Sequence, residues 1–480
     1  MNKRNLSRRD FLRVFATAAA GVTVAACAPK VVEKVVKETI EVEKGVKETV
    51  VVEKAPKELP VVRLATDWGT GARGDVSKQA GDLWKAKYEQ DIAKVFFEFT
   101  PEVDQRVFVE MASGDAPDVM LLGLSEMIKL AKLGLVLCLE PFFENDPTIN
   151  YDPTAKKFED LVGTATHAGE EGKVYVIPFQ VRIMFGWWWN ETLFDEYGVL
   201  HPDEYPDNPG GVWQWGDWLE TCKVLTKDTD GDGTPDIWGG LFGHGWYNLS
   251  GCLNLAWGNG GDWLDLENRD PGFDWPETME AQNFLFDLVN VHKVSPNLAL
   301  GSELSEALGM NLFSAGKVGT THSYSLSSLK RDVVEPGRFK AHFGPIPRSP
   351  HKPNEPGHAI LSEQPHSIWS GSHYPDEAYQ LASYMGGKEV QMFTLKSGQT
   401  PCRRSLCELP EYIDWDPETK KWWLELEKHA FDMRIFECWR EYRDMTAAPC
   451  GKVLLGEISN EEFAVQATEA GQRVLDECEW

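Results

Sequence analysis

The chain lacks several short motifs that mark common catalytic and nucleotide-binding sites. No G-x-S-x-G, H-E-x-x-H or G-x-x-x-x-G-K-[ST] sequence occurs, so nothing indicates a nucleophile elbow, a metalloprotease helix or a Walker-type phosphate loop. No C-x-x-C pair occurs among the nine cysteines, which argues against a zinc ribbon or a thioredoxin-like site. With 75 acidic residues, some carboxylate pair resembles a glycosidase site by chance alone. These absences favour a protein that is not an enzyme.

Positive charge is also scarce. Lysine and arginine together number 48, and the formal net charge is −27 at pH 7. An acidic chain repels polyanions, so nucleic acid is not expected as a partner. The 480 residues are too many for a single core and predict two lobes, for which the 42% of hydrophobic residues suffices.

No transmembrane-length apolar run opens the chain. The apolar or small stretch at residues 14–26 is 13 residues long, which is too short to cross a bilayer core of ~30 Å as a helix. An Arg-Arg-Asp-Phe-Leu sequence at positions 8–12 resembles a twin-arginine export signal. The stretch ends in Val-Ala-Ala-Cys, like a lipobox, so residues 1–26 are expected to be a signal peptide. Cys27 would then carry lipid and hold the protein on the outer face of the cytoplasmic membrane. The alternative is a plain secretory signal with Cys27 near the cut by chance.

Aromatic residues are missing from the segment that follows. Residues 27–58 begin with the lipidated Cys27 and continue as a Val/Glu/Lys sequence that repeats with a period of ten, as at Glu33, Glu43 and Glu53. Such a neutral segment without aromatic residues cannot bury a core. It is therefore interpreted as a tether.

One loop has the spacing of a calcium site. Residues 228–236 read Asp-Thr-Asp-Gly-Asp-Gly-Thr-Pro-Asp, which places carboxylates at loop positions one, three, five and nine of an EF-hand-type loop and Gly233 at the sixth. Gly239 replaces the bidentate glutamate of position twelve, so one ligand is missing. The alternative is an acidic turn without metal. The prediction is a structural Ca²⁺ held by Asp228, Asp230, Asp232, Thr234 and Asp236.

Tryptophan is abundant, with 19 residues. Several lie beside Gly, Asn or His in loop-like sequence, as Trp68, Trp246 and Trp257 do. Indole faces stack on the apolar faces of sugar rings, so the set predicts a carbohydrate-binding cleft. For any single tryptophan, packing in a core is the better explanation, and Trp187–Trp189 on a predicted strand is assigned to packing.

The hydrophobic pattern predicts an α/β fold. Buried strands are expected at residues 61–65, 95–99 and 119–122, with helices between them, which favours mostly parallel sheets. The last 75 residues have a mostly helical pattern, with a capping box at Ser459 and Glu462. Eight cysteines remain after Cys27, and Cys402 and Cys407 are the pair nearest in sequence, but the pairing is left open. A twin-arginine substrate folds in a reducing compartment, so its core should form without disulfides.

A series of short motifs along residues 59–480 resembles the extracellular solute-binding proteins of ABC importers, in the branch typified by carbohydrate binders. The most specific is Gly-Lys-Val-Tyr-Val-Ile-Pro-Phe at residues 172–179. The other matching segments, in order, lie at residues 95–99, 112–119, 130–141, 189–194, 215–219, 225–227, 313–317, 344–347 and 398–403.

The resemblance implies a two-lobed, type II periplasmic-binding-protein-like fold with a helical C-terminal region. Hinge crossings are expected near residues 178–182 and 359–364. The first lobe would then comprise residues 59–180 and 359–407, and the second residues 181–358 and 408–480. The resemblance also implies a monomer that binds a small solute between the lobes and delivers it to separate ABC permease subunits. A mono- or oligosaccharide is the expected solute, although the order of the motifs does not choose among ligands.

The ligand-binding residues are predicted at strand ends that face the cleft. Trp and Tyr side chains would stack on sugar rings, while Asp67, Gln180, Arg182 and Arg403 would bind hydroxyl groups. The predicted set is Asp67, Trp68, Gln180, Arg182, Trp246, Tyr247, Trp257, Tyr324, Trp369 and Arg403.

Two other functions stay open at the level of sequence. An exported carbohydrate-acting enzyme would release product, whereas a binding protein would show simple saturable binding. A calcium-dependent scaffold or adhesion lipoprotein would need repeated acidic loops, and the sequence has one.

Overall fold

The computed structural model describes residues 59–100, 103–149, 151–152, 157–158, 160, 173–184, 186–242, 245–322, 324–432 and 435–478. The predicted signal peptide, Cys27 and the tether lie outside these residues. Among the helices of the described residues, none combines the length and the apolar character that a membrane crossing requires.

The strands follow the runs of β-branched and aromatic residues along the chain. In order they are β1 (Val61–Thr66), β2 (Lys94–Phe99), β3 (Val119–Leu121), β4 (Tyr151–Asp152), β5 (Lys157–Phe158), β6 (Ile177–Met184), β7 (Trp187–Trp189), β8 (Trp238–Leu241), β9 (Leu264–Asp265), β10 (Asp270–Pro271), β11 (Val318–Thr321), β12 (His342–Gly344), β13 (Ala359–Ile368) and β14 (Ala430–Asp432).

Helices separate most of the strands, and they dominate the C-terminal part as predicted. They are α1 (Gly71–Lys87), α2 (Val103–Ser113), α3 (Leu124–Lys132), α4 (Glu140–Phe143), α5 (Glu191–Tyr197), α6 (Trp215–Leu225), α7 (Gly245–Asn259), α8 (Pro276–Asn290), α9 (Leu298–Leu308), α10 (Leu326–Ser328), α11 (Pro375–Met385), α12 (Lys388–Lys396), α13 (Arg404–Cys407), α14 (Pro417–Glu427), α15 (Trp439–Leu454) and α16 (Asn460–Glu477), with a 3₁₀ turn at Pro209–Gly211 and a π turn at Leu329–Val334.

Two larger sheets, of six and four strands, organise the described residues beside the short two-stranded sheets β4-β5 and β9-β10, and the α/β prediction is confirmed. In the first sheet β1 pairs in parallel with β2 and with β3, while the distant strand β13 adds antiparallel to β3 and β6. The second sheet has the order β12-β7-β11-β8 and is mixed. The early strands are therefore parallel as predicted, and strands from later in the chain introduce the antiparallel pairs.

Each sheet has its own hydrophobic core. The first core includes Leu64, Trp84 and Met127. The second core contains most of the buried tryptophans, including Trp187, Trp188 and Trp189, so the assignment of this triplet to packing is confirmed. Two cores on two sheets give the two-lobed architecture that the resemblance implied.

The strands β6 and β13 run from one core to the other. Ile177 at the start of β6 and Ile368 at the end of β13 belong to the first core, whereas Ala359 and Ile360 belong to the second. The two strands pair antiparallel, with Gln180 opposite Gln364. They pass between the lobes where the hinge crossings were expected, while the exact residue boundaries of the lobes stay a prediction.

A capping box and a disulfide stabilise the two C-terminal helices. Ser459 Oγ accepts a hydrogen bond from the Glu462 N–H, and the Glu462 carboxylate accepts one from the Ser459 N–H, so the predicted capping box is confirmed. A disulfide joins Cys438, which precedes α15, to Cys478, which follows α16. Cys402 and Cys407, the nearest pair in sequence, are both free thiols.

Candidate ligand-binding cleft

A cavity of about 930 Å³ lies between the two lobes. One side is formed by the first turn of α1, by Gln180 of β6 and by the loop at residues 398–400. The other side is formed by residues 309–314, by the segment around Tyr324 and the following turns, and by Trp423 of α14. Because segments of both lobes line it, this cavity is the candidate ligand-binding cleft.

The first-lobe wall begins where β1 ends. Helix α1 starts after Thr70, which makes no side-chain capping bond, and its first turn contains no acidic residue. The guanidinium of Arg73 lies 5.3 Å from the centre of the Trp68 ring, and its Nη1 lies 3.6 Å from Oδ2 of Asp67. The two residues predicted here, Asp67 and Trp68, therefore support a lining arginine.

Trp68 itself is part of the packing behind the wall. Its side chain is fully buried, its ring centre lies 4.7 Å from that of Phe179, and its Nε1 donates to Oε1 of Gln364 over 3.3 Å. Neither Asp67 nor Trp68 borders the cavity, whereas Thr70 and Arg73, a few residues further on, do. An indole beside glycine resembles a binding residue in sequence, but here it fills a gap between β1 and β6.

Two buried amides meet at the cavity. Gln180, which was predicted, is 4% exposed, and Gln399, which was not, is 6% exposed. The Nε2 of Gln180 donates to Oε1 of Gln399 over 2.9 Å. Both residues line the cavity together with Thr400.

Arg403, chosen from the same motif as Gln399, lies inside the first lobe. Its Nε donates to the Gly386 carbonyl over 2.7 Å, and its Nη1 donates to the Thr148 carbonyl and to Asp160. The side chain is almost fully buried. Within the motif at residues 398–403, the residues that line the cavity are therefore Gly398, Gln399 and Thr400, and Arg403 does not border it.

Aromatic rings line the second-lobe wall. Tyr324, a predicted site residue, shares a 2.6 Å hydrogen bond between its hydroxyl and that of Ser314, and burial raises its pKa to about 12. Its phenol therefore stays protonated at neutral pH. Trp423 and the fully buried His322 also line the cavity, and neither was predicted.

Charged residues complete this wall. Arg331 forms a two-pronged pair with the neighbouring Asp332, from Nε to Oδ1 and from Nη2 to Oδ2, each over 2.7 Å. Arg338 lines the cavity beside them and is exposed. No sequence motif marked this segment, whose Lys-Arg-Asp run resembles an ordinary solvated surface.

The remaining predicted residues fall into two groups. Two of them do not border the cavity, and for the other three the structure does not describe the side chain. Trp257 packs against the second core. Trp369 packs against the first core, and its N–H donates to the Asp118 carbonyl over 3.0 Å. For Arg182 on β6, and for Trp246 and Tyr247 on α7, the structure describes the backbone and not the side chain. Ligand contact by these residues stays a prediction.

The acidic loop is closed by backbone hydrogen bonds between Lys227 and Ile237. One carboxylate oxygen from each of Asp228, Asp230 and Asp236 lies within 4.8 Å of the other two. The Asp228 carboxylate also accepts hydrogen bonds from the N–H groups of Gly231 and Gly233.

The other predicted ligands of this loop differ in their roles. The Asp232 carboxylate accepts a 2.7 Å bond from the Thr234 N–H and stands outside the group of three. Hydrogen bonds from the Thr229 hydroxyl and N–H lower the pKa of Asp236. Gly239 lies in β8 and offers no carboxylate. The three remaining carboxylates have the hard oxygen chemistry that Ca²⁺ prefers.

Comparison with known proteins gives a family match over most of the folded part. Residues 73–392 match the family described as bacterial extracellular solute-binding protein. The match begins within the first turn of α1, includes the crossing strand β6, and ends within α12.

Solved structures of similar architecture cover nearly the whole described chain. The ABC substrate-binding protein Lmo0181 of Listeria monocytogenes, in complex with cycloalternan, has a TM-score of 0.72 and 19% identity, covering 87% of this chain and 100% of that one. The GacH receptor of Streptomyces glaucescens, studied unliganded and with acarbose, has a TM-score of 0.67 and 18% identity, covering 88% and 100%. The maltose/maltodextrin-binding domain MalE of Bdellovibrio bacteriovorus, bound to maltotriose, has a TM-score of 0.65 and 17% identity, covering 86% and 99%. At these identities the likeness shows the two-lobed fold.

Proposed function

Because this chain belongs to the family of bacterial extracellular solute-binding proteins, we propose that it captures a mono- or oligosaccharide between its lobes for an ABC importer. The observation that carries the proposal is the 930 Å³ cavity lined from both lobes. Its volume lies within the range of ~300–1,000 Å³ that is usual for small-molecule sites. Release of the saccharide to separate permease subunits completes the proposed cycle.

The lining has the chemistry that sugars need. Tyr324 brings a partly buried aromatic ring, which can stack on the CH face of a pyranose, and the buried Trp423 also borders the cavity. Gln180, Gln399 and Asn311 bring amides that can donate to and accept from hydroxyl groups. Three structures of the same fold bind cycloalternan, acarbose or maltotriose, which supports a carbohydrate as the solute here.

The test is a binding screen of the purified protein against mono- and oligosaccharides, with amino acids and polyamines as controls. Thermal shift detects the binders, because a ligand at 100-fold over its Kd stabilises a protein by ~2.7 kcal/mol. Calorimetry then measures the affinity. We expect saturable binding of a saccharide that is recovered intact, whereas product formation would favour a carbohydrate-acting enzyme. Saturable binding confined to amino acids or polyamines would refute the proposed solute class.

For its place in the cell, we propose export and anchoring through a lipid at Cys27. The family is extracellular, and the sequence at residues 8–27 has the features of a twin-arginine lipoprotein signal. The tether at residues 28–58 would then hold a monomeric binding protein near the permease at the outer face of the cytoplasmic membrane.

We also propose that the acidic loop binds one structural Ca²⁺. The grouped oxygen atoms of Asp228, Asp230 and Asp236 support this assignment, and the carbonyl of Thr234 and water would supply further ligands. Asp232 would act by shaping the loop through Thr234. The ion would brace the turn between α6 and β8 and take no part in ligand binding.

A further inference from the structure

Three ion pairs join the two lobes beside the cleft. On the first lobe they come from α3, whose Met127 and Leu130 belong to the first core. On the second lobe they come from residues 437–441, among which Trp439 belongs to the second core. Because each pair crosses from one lobe to the other, the lobes separate here only if the pairs break. The pairs are Glu126–Arg440, Lys129–Glu441 and Lys132–Glu437.

The charges on the two sides are complementary. The three residues of α3 follow one another at the spacing of three that makes side chains neighbours on a helix, and they carry one negative and two positive charges. The facing residues carry one positive and two negative charges. The Nζ atom of Lys129 lies 2.7 and 2.9 Å from the two carboxylate oxygens of Glu441. Opposite charges at adjacent positions favour one alignment of the lobes over others.

Glu126 is the most enclosed member of this set. Its side chain is 6% exposed, and its Oε2 accepts a 2.7 Å hydrogen bond from the Ser125 hydroxyl. Its Oε1 lies 3.1 Å from Nε of Arg440. A carboxylate that is buried without its cation is strongly destabilising. The closed arrangement described here, in which both lobes line the cavity, therefore depends on Arg440.

The contact lies on the cavity side of the first lobe. Strands β1 and β3 are parallel neighbours, so their C-terminal ends lie at the same edge of the sheet. Helix α1 follows β1, and its first turn lines the cavity. Helix α3 follows β3 after residues 122–123 and begins at that same edge. A movement that opens the cavity at this edge would therefore also pull the three ion pairs apart.

The second-lobe side of the contact is anchored to its own core. A disulfide joins Cys438 to Cys478 at the end of α16. The ring of Trp439 stacks on that of Tyr442, with their centres 6.0 Å apart, and both residues belong to the second core. The ion-pairing residues of this segment therefore move with the second lobe.

We propose that the three ion pairs between α3 and residues 437–441 form a latch that stabilises the closed arrangement and so raises the affinity for the captured solute. The apparent affinity of a protein falls in proportion to the population of its binding-competent arrangement, and the latch increases that population. The effect on solute affinity rests on the proposed function, whereas the effect on the arrangement of the lobes does not.

Charge reversal tests the latch. Lys129→Glu sets two acidic side chains against each other, and Glu441→Lys sets two basic ones against each other. Each change should weaken binding of the neutral saccharide selected by the screen about threefold or more. The double variant should recover most of the loss, because it restores the pair in the opposite direction. Calorimetry on the full-length protein measures the affinities.

The arrangement of the lobes is measured without any ligand. Small-angle X-ray scattering of the ligand-free protein should give a larger radius of gyration for each single reversal than for the unchanged protein, and the double variant should return toward the original value. Arg440→Gln should act in the same direction and weaken saccharide binding about tenfold, because in the closed arrangement it leaves the Glu126 carboxylate without its cation.

Salt provides an independent measurement. A neutral saccharide has no charge to be screened, whereas the partly exposed pairs of Lys129 and Lys132 are weakened by added salt. The affinity of the unchanged protein should therefore fall between about 0.05 M and about 0.5 M sodium chloride. In Lys129→Glu the same change should raise the affinity, because it screens a repulsion.

The matched control is an ion pair inside one lobe. Lys87 of α1 pairs with Glu389 of α12, and both helices pack on the first core through Trp84 and Val390. Lys87→Glu reverses one charge of a partly exposed pair, as Lys129→Glu does, but leaves the contact between the lobes intact. Its affinity and its scattering curve should match those of the unchanged protein.

The outcomes separate the latch from the proposed function. If both reversals scatter and bind like Lys87→Glu, the latch is overturned and the saccharide-binding function stands. If the double variant fails to recover what the single reversals lose, the pair does not hold the lobes together, and the latch is overturned as well. If no saccharide binds the unchanged protein, the proposed function falls, while the scattering comparison still decides the latch.

Discussion

Gln180 donates a hydrogen bond from its Nε2 to Oε1 of Gln399 over 2.9 Å, and both amides line the interlobe cavity. Gln180 lies on the crossing strand β6, and Gln399 lies in the loop after α12. The bond therefore fixes two buried polar groups relative to each other next to the hinge.

Replacing Gln180 with alanine should weaken saccharide binding about tenfold or more. The change removes one lining amide and leaves the Gln399 Oε1 without its partner, and an unsatisfied buried polar group costs ~1–3 kcal/mol. Calorimetry with the saccharide found in the screen measures the effect. The control is Gln79→Ala at an exposed position of α1, and equal affinities of the two variants would place the ligand away from Gln180.

His366 should make the protein less stable in mild acid. The ring is fully buried, neither ring nitrogen has a partner among the described residues, and burial lowers its pKa from 6.5 to about 3. Below pH 6.5 the unfolded chain therefore takes up a proton that the folded chain refuses. The stability is fully present above pH 6.5 and is lost as the pH falls from there toward 3.

The matched variant isolates this histidine from the other titrating groups. His366→Phe keeps an aromatic ring against Phe179, whose ring centre lies 4.6 Å from that of His366. Between pH 7 and pH 5, the Tm of this variant should fall less than the Tm of the unchanged protein. His373→Phe, at an exposed position, should keep the original pH dependence. If both variants retain the same slope, His366 is not the buried neutral group described here.

The proposed Ca²⁺ site in the acidic loop predicts that the metal stabilises the folded protein. Added Ca²⁺ should raise Tm, and a chelator should lower it, by at least ~2 °C if binding contributes about 1 kcal/mol. Asp230→Asn should abolish this response, since it removes one of the three grouped carboxylates. The exposed Asp274→Asn should preserve it. If Tm changes neither with added calcium nor with chelator, the loop is an acidic turn without metal.

The lipid anchor predicts a change of location. Cys27→Ala removes the acylation site, and because acyl chains supply the membrane affinity that a neutral tether lacks, the protein should move to the soluble fraction. Fractionation of cells followed by immunoblotting measures this. Continued recovery with the membranes would contradict the anchor.

Much of the architecture could be predicted from local pattern. The apolar runs gave β1, β2 and β3 close to their observed bounds, because a buried parallel strand needs a nearly continuous apolar sequence. The strand β6, which pairs with β13 between the two cores, lies where the family resemblance implied a crossing near residues 178–182, and its role as a hinge stays a prediction. Tyr324, which was predicted to bind ligand, does line the cavity, and its contact with a ligand stays a prediction.

The lining arginines could not be found in this way. Arg331 and Gly71 approach each other across the cleft although they are distant in sequence, so their proximity depends on how the lobes pack. Trp68 and Arg403, which were predicted to bind ligand, do not border the cavity. Each has the chemistry of a binding residue, but contacts with Phe179 and Gly386 show that their side chains complete the first lobe.

The most direct measurement is a crystal structure of the protein with the saccharide selected by the screen. The account predicts one saccharide in the cavity between the lobes, in contact with Gln180 and Tyr324. A saccharide bound on the surface of one lobe, with the cavity filled by solvent alone, would contradict it.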